Sequence, residues 1–401
     1  MASLLVVAGD PSGDAHAARL IDALRARDPA LAITALGGPA MERAGAALLD
    51  DLTQTTAIGP FDAARHLARF ARAKRLLARS LAGRRPDLAI LVDFGDFNLP
   101  VVAPLVKRHG IPVLYYISPQ VWAWGRWRLR YVRRYVDRMV VFFPFEETFY
   151  QRERIPVTWV GHPLIDAARP SMSQDDALRR FSLNPWRRTV GLLPGSREHE
   201  VARHLPVMLA AAERIAWRMP GIQFLIPKAP AIPAAAIERD MRRSTADVRL
   251  ADGSIADALM VLDAAAVASG TATLETALAE IPMVVVYKTS WPTYLAARVV
   301  VRVPRIAMVN VVAERAVVPE LVQHRASPAR IAEAVTGLLR DDERCEAMKE
   351  GLREVRRRLG PPGAVDRAAR VVAEMLGDSH EFHVCPPASA DPSDSGPFFP
   401  R

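Results

Sequence analysis

Two patterns alternate along the chain. Short apolar runs, rich in β-branched or aromatic residues and bounded by Gly, Pro or charge, occur at Leu4–Ala8, Ala32–Leu36, Leu88–Val92, Val113–Ile117, Met139–Phe143 and Val157–Val160. Runs of this length and composition predict buried parallel strands. Between the first two, Leu20, Ile21 and Leu24 fall at helical spacing within Asp14–Arg27. Strand–helix alternation predicts a doubly wound α/β sheet. The pattern breaks between Asp166 and Pro185, where Pro170, Ser171, Ser173 and Pro185 cluster. It restarts with a strand at Thr189–Leu193, a turn at Pro194–Arg197 and a long helix over Glu198–Arg218. Further strands are expected at Ile222–Ile226, Val248–Leu250, Ala264–Ala268 and Met283–Tyr287. The expected organisation is therefore two α/β halves. The first covers residues 1–168, and the second covers 169–377 with Arg-rich helices from 327 onward. Open parallel sheets bind ligands at the carboxyl ends of their strands, so a cleft between the halves is the expected site.

Composition narrows this picture. Half of the 401 residues are hydrophobic and 24% are charged, which excludes disorder of the chain as a whole. No apolar run approaches the length of a spanning helix. The start, MASLLVVAGDPSGD, lacks the basic opening and long apolar run of a secretory leader. Cys345 and Cys385 are the two cysteines, too few for a disulfide scaffold or a cysteine-built zinc site, and they suit a reducing cytoplasm. Residues 378–401, with five prolines and no periodicity, predict a disordered tail. Its His380, His383 and Cys385 lack a fourth ligand, and no metal is expected there. The net charge of +9 favours an anionic partner: nucleic acid, an anionic membrane or a phosphorylated substrate.

Several turns carry candidate chemistry. Gly9 and Gly13 flank the first strand–helix turn, where Ser12 or Asp14 is the expected helix cap. Its Gly-x-x-x-Gly spacing matches neither the dinucleotide nor the Walker pattern. Asp93 and Asp96 follow the strand at Leu88–Val92; one of them, if buried with a raised pKa, would make a general base, and both could equally be turn formers. Gly195, Ser196 and Arg197 form a turn whose amides and guanidinium suit an anion. Ser269, Gly270 and Thr271 leave a strand and start a helix whose free amides suit a diphosphate, and Glu275, one turn on, could accept ribose hydroxyls. Two such turns in one half favour a phosphate-bearing ligand. Trp122–Arg134 holds three Trp and five Arg. It could stack bases, sit at a membrane interface, clamp an anionic acceptor, or be a basic helix with aromatics turned inward. Phe61–Ser80 predicts a basic amphipathic helix, with Arg65, Arg69, Phe70, Arg72 and Arg75 as candidate contacts to an anionic bilayer; a solvated face is the alternative.

Together these segments resemble the lipid-A-disaccharide synthase family. The resemblance spans roughly residues 4–377 and rests on AGDPSGD at 8–14, DFGDFN at 93–98, SPQVWAW at 118–124, PFEETFY at 144–150, GHPLID at 161–166, LLPGSREHEV at 192–201 and ASGTATLE at 268–275. It implies two Rossmann-like domains facing a cleft, the GT-B glycosyltransferase arrangement. It implies inverting transfer from UDP-linked 2,3-diacylglucosamine to the 6-hydroxyl of 2,3-diacylglucosamine 1-phosphate, releasing UDP and a β-1,6 disaccharide. By the same resemblance the catalytic residues are Asp96, as the base, Asp10 of the first motif and Arg197. Arg197, Gly195, Ser196, Gly270 and Thr271 hold the diphosphate, and Glu275 holds the ribose; Ser12, Gly13, Asp93 and Ser269 complete the expected binding set. No cofactor and no metal are expected, since Arg and helix amides can balance the leaving charge. Acylated substrates imply a peripheral, cytoplasmic position at the inner face of the inner membrane; the oligomeric state is open, a homodimer included. Two residues depart from the family's pattern. Asp10 stands where Glu is usual, and Gly95 where Pro is usual, so the loop holding Asp96 is expected to be less rigid. The rival readings are a different UDP-sugar GT-B enzyme, a non-catalytic lipid-binding relative and a nucleic-acid-binding protein. The last is disfavoured because the chain lacks a recognition fold.

Overall fold

A computed structural model describes residues 2–53, 60–292, 294–295 and 305–377, with only the backbone described over 60–67. The predicted tail, with His380, His383 and Cys385, lies outside the described residues. The chain divides into two compact units: one runs to Pro163 and takes back the chain from Pro361, and the other is Leu164–Gly360.

The first unit holds a seven-stranded sheet, β1 (Ser3–Ala8), β2 (Ala32–Gly37), β3 (Ala47–Asp51), β4 (Leu88–Val92), β5 (Val113–Tyr116), β6 (Arg138–Val141) and β7 (Val157–Trp159). Its order is β3-β2-β1-β4-β5-β6-β7, and every pair is parallel. Leu4, Val6 and Ala8 face one apolar layer while Leu5 and Val7 face another. Burial on both faces is why these strands read as continuous apolar runs rather than alternating ones. The second unit repeats the plan with β8 (Thr189–Leu193), β9 (Gln223–Pro227), β10 (Val248–Ala251), β11 (Ala264–Ala268), β12 (Met283–Tyr287) and β13 (Glu320–Val322). Its order is β10-β9-β8-β11-β12-β13, again parallel throughout. The strand order reverses between β1 and β4 in one unit and between β8 and β11 in the other, and these are the switch points where such sheets bind ligands.

Three expectations need correction. Strands β3 and β13 were not anticipated: β3 reads ALLDD on a half-exposed edge and β13 has three residues, so neither forms an apolar run. The last helix, Ala364–Met375, belongs to the first unit rather than the second, and the break falls at Pro163/Leu164 rather than after residue 168. Its Ala368, Ala369 and Val372 pack on the layer of Leu4, Leu20 and Ile21, and Arg367 Nε donates to the Val160 carbonyl at 2.8 Å. Periodicity reveals a helix's apolar face but not which sheet covers it.

The third correction concerns the basic helix, Pro60–Gly83. Its apolar stripe is core: Ala73, Leu77 and Leu81 are buried, and Phe70 stacks on Phe97 at 4.8 Å and meets Phe94 edge-on at 5.7 Å. Phe70 is thus not a bilayer contact. Arg69 donates to the Asp51 carbonyl, and Arg72 pairs with Asp50 at 3.3 Å. Arg72, Lys74, Arg75 and Arg79 remain on the exposed face; the side chain of Arg65 lies outside the described residues. Among the described residues no helix is long and apolar enough to cross a membrane.

Candidate active site

At the first switch point, Ala8 of β1 pairs with Val92 of β4, so the turns after both strands are neighbours. The helix Pro11–Arg27 is capped by Asp10, not by Ser12 or Asp14: one Asp10 carboxylate oxygen accepts from the Gly13 amide at 2.5 Å. Ser12 is exposed. Asp14 is buried and accepts from the amides of Gly38 and Ala40, both at 2.9 Å, and Met41 at 3.2 Å, which holds the next helix start in place. Gly9 is required because a Cβ there would lie 2.0 Å from the Phe94 ring.

The turn after β4 is strained. Asp93 and Phe94 both have positive φ, 41° and 48°, a conformation costing roughly 1–2 kcal/mol per residue outside glycine. Buried Asn98 offsets this by donating to the carbonyls of Val92 at 3.2 Å and Asp93 at 3.0 Å, and the Tyr115 hydroxyl donates to the same Asp93 carbonyl. Burial, then the negative field of Asp10, pushes the Asp93 carboxyl up to about 6, with Asp96 adding to the rise and the Phe94 amide opposing it. Asp96 is 71% exposed and pairs with the guanidinium of Arg128, whose side chain is only 5% exposed. Arg128 in turn lies 4.2 Å from the centre of the Trp124 ring. Gly95, expected to loosen this loop, packs closely: a Cβ there would sit 2.8 Å from Pro119.

The Trp-rich segment supplies part of the lining. Pro119, Gln120, Trp124 and Arg128 line a pocket of about 240 Å³ together with Asp10, Asp93 and Asp96. Trp122 turns inward, edge-on to Phe145 at 4.8 Å, and donates from Nε1 to Glu146 at 3.1 Å. Arg128 and Glu146 were not singled out from the sequence. Arg128 is one of five Arg in its segment, and Glu146 lies in the first turn of its helix, where an acid is common on dipole grounds alone.

At the second switch point, Leu193 of β8 pairs with Val267 of β11. Gly195 has φ of 120°, and a Cβ would meet Glu200 at 2.6 Å. The Ser196 and Arg197 amides, expected to be open to an anion, donate to the Glu200 carboxylate at 3.0 and 3.3 Å, and the Arg197 guanidinium pairs with it at 3.0 Å. The turn carries its own acid in the place foreseen for a phosphate. His204, missed in the sequence, fixes this turn: its Nδ1 lies 2.9 Å from the Pro194 carbonyl, and Nε2 accepts from the Lys288 amide at 2.9 Å. Burial lowers its pKa, so the neutral ring bridges β8 and β12.

After β11, Ser269 donates to the Ile306 carbonyl at 3.1 Å, while Gly270 and Thr271 are exposed. A Cβ on Gly270 would meet nothing within 4 Å, so open space lies in front of it. The helix that follows is Ala272–Leu278. Burial alone pushes half-buried Glu275 up to about 7, and no donor or cation among the described residues pairs with its carboxyl. No group of three or more His, Cys, Asp or Glu among the described residues is placed to hold a metal ion.

Comparison with known proteins places this geometry in context. The family profile described as lipid-A-disaccharide synthetase matches residues 4–373. The lipid-A-disaccharide synthase of Geobacter sulfurreducens is 43% identical over 374 residues, covering 93% of this chain and 97% of that protein. That of Myxococcus xanthus is 42% identical with the same coverage. Among solved structures, Staphylococcus aureus MnaA, in a co-structure with UDP, is 10% identical with a TM-score of 0.65 over 94% of this chain and 97% of that one. The calicheamicin glycosyltransferase CalG4 is 18% identical with a TM-score of 0.59 over 95% and 100%. These two share the fold. With paired Rossmann-like sheets and a profile match across almost all of both units, the chain belongs to the lipid-A-disaccharide synthase family.

Proposed function

We propose that this protein is a glycosyltransferase that joins two acylated glucosamines, releasing UDP. The donor is UDP-2,3-diacylglucosamine and the acceptor 2,3-diacylglucosamine 1-phosphate. The observation that carries the reading is the family match over residues 4–373. The placement of the family's acid and phosphate motifs at two switch points supports it.

In this reading Asp96 takes the proton from the acceptor 6-hydroxyl as that oxygen attacks the anomeric carbon of the donor. The bond from that carbon to the UDP oxygen breaks, the configuration inverts, and the electron pair leaves with UDP. Asp96 is assigned the base by the family's motif, and its carboxylate is exposed on the pocket, where Arg128 orients it; the buried carboxyl with the raised pKa is Asp93, which is the alternative base. Asp10 uses one oxygen as a helix cap and has the other for a sugar hydroxyl. Arg197, two-thirds exposed, can turn from Glu200 to the diphosphate, where growing negative charge strengthens the contact in the transition state. Unpaired Glu275 accepts from the ribose hydroxyls. The exposed row of Arg72, Lys74, Arg75 and Arg79 is the proposed contact with an anionic inner-membrane surface, at which acylated substrates reside.

The test is to incubate purified protein with both substrates and identify the product. The reading predicts UDP and a β-linked disaccharide 1-phosphate in equal amounts. UDP formed without disaccharide would point to hydrolysis, and no UDP at all would favour a non-catalytic relative.

A further inference from the structure

Glu146 is an unusual group in the first unit. The residue is 4% exposed, and among the described residues no cation pairs with it. A buried carboxyl without a counter-ion is costly unless hydrogen bonds replace its water. Here they come from the Phe143 amide at 3.3 Å and the Trp122 indole at 3.1 Å, with the Ser118 hydroxyl and the Phe142 amide adding to them. Burial nevertheless pushes the carboxyl up to about 7.

The loop it grips is seated on the core by Val121, which is fully buried, and its remaining side chains are tied by polar and ring contacts. After β5 the chain turns at Ile117 with φ of 69°, whose amide still donates to the Val140 carbonyl of β6 at 3.0 Å, and again at Gly125 with φ of 72°. Its ties run mostly to one helix, Pro144–Arg152, and the residue after it. Ser118 Oγ lies 2.8 Å from the Tyr150 hydroxyl, Trp122 contacts Glu146 and Phe145, and Arg126 pairs with Glu153 at 2.8 Å. Glu146 is the one of these that bonds both the loop and the start of the helix. Two residues beyond Trp122, Trp124 reaches the pocket.

We infer that Glu146 is a positioning residue for the acceptor, holding Trp122 so that Pro119, Gln120, Trp124 and Arg128 keep their places in the lining of the pocket that holds Asp96. The inference rests on the reading of that pocket as the acceptor side. Its contacts are confined to the first unit, so it acts on the acceptor and not on UDP.

The experiment compares Glu146→Ala, Glu146→Gln, Trp122→Phe and the Glu146→Ala/Trp122→Phe double variant, measuring KM for each substrate. Trp122→Phe removes the N–H while keeping a ring, and should raise the acceptor KM by up to roughly tenfold, the worth of one ordinary hydrogen bond. Glu146→Ala should do at least as much, with the donor KM within about twofold of wild type. Glu146→Gln should recover part of the loss, since its amide oxygen can still accept from Trp122. The double variant should be no worse than Glu146→Ala, because the contact that Trp122→Phe removes is among those already lost with Glu146. The inference is overturned if Trp122→Phe and the Glu146 variants that fold leave the acceptor KM within about twofold of wild type, if the single effects multiply, or if the donor KM rises in step. Should Glu146→Ala not fold, Trp122→Phe and Glu146→Gln carry the test. A wild-type protein that does not turn over the substrate pair overturns the functional reading instead.

Discussion

The two switch points share one strand order and carry opposite chemistry. In the first unit three carboxylates, Asp10, Asp93 and Asp96, face a single guanidinium, Arg128. In the second the turns are built from Gly195, Ser196, Arg197, Gly270 and Thr271, with Glu200 seated on two amides. A site rich in carboxylates disfavours an anion and suits hydroxyls and the removal of a proton. A site of amides and Arg suits a phosphate, and its own acid already occupies the position. The parallel sheet fixes where ligands go, at the carboxyl ends beside the reversal of strand order. The residues in the turns decide which ligand goes there.

The comparison breaks most sharply at Asp96. Asp96→Asn removes the proposed base and should lower kcat by about 10²- to 10⁴-fold; turnover within about threefold of wild type would move the base to Asp93 or Asp10. Arg197→Ala strikes the other side and should lower kcat/KM for the donor roughly 10- to 100-fold, read from initial rates at low donor. Asp93 sharpens the comparison through stability. Folding raises its pKa from 3.8 to about 6, so the folded state binds the proton more tightly than the unfolded chain. Wild-type stability therefore falls as pH rises through that window and is level above it. Asp93→Asn should match wild type at the acid end and exceed it by up to roughly 3 kcal/mol above pH 7, as denaturant titrations at both pH values will show. A constant difference at all pH values would contradict the shift. Replacing Arg72 and Arg75 by Gln should weaken binding to anionic vesicles by roughly 1 kcal/mol each at low salt, with co-sedimentation as the readout and UDP affinity unchanged.

Much of this fold was legible because buried parallel strands leave unbroken apolar runs. The long helix Glu198–Arg218 and the turns at Gly9, Asp93, Gly195 and Ser269 were placed by that pattern. What escaped depends on contacts distant in sequence. Phe70 looked like a membrane anchor because an amphipathic helix shows an apolar stripe whether a bilayer or a protein core covers it. The helix Ala364–Met375 was given to the wrong unit for the same reason. Within the candidate sites, the residues that chemistry favours at a turn stand out in the sequence, whereas those that hold them do not. Arg128 reaches Asp96 from 32 residues away, Glu146 reaches Trp122 from 24, and His204 reaches Lys288 from 84. No local spacing encodes such pairs.

The division of labour between the switch points is tested most directly by titrating UDP calorimetrically into wild type, Asp96→Asn and Arg197→Ala. The account predicts that Asp96→Asn binds UDP as wild type does although its turnover is lost, while Arg197→Ala binds UDP roughly tenfold or more weakly. Equal loss of UDP affinity in both variants, or wild-type affinity in Arg197→Ala, would contradict it.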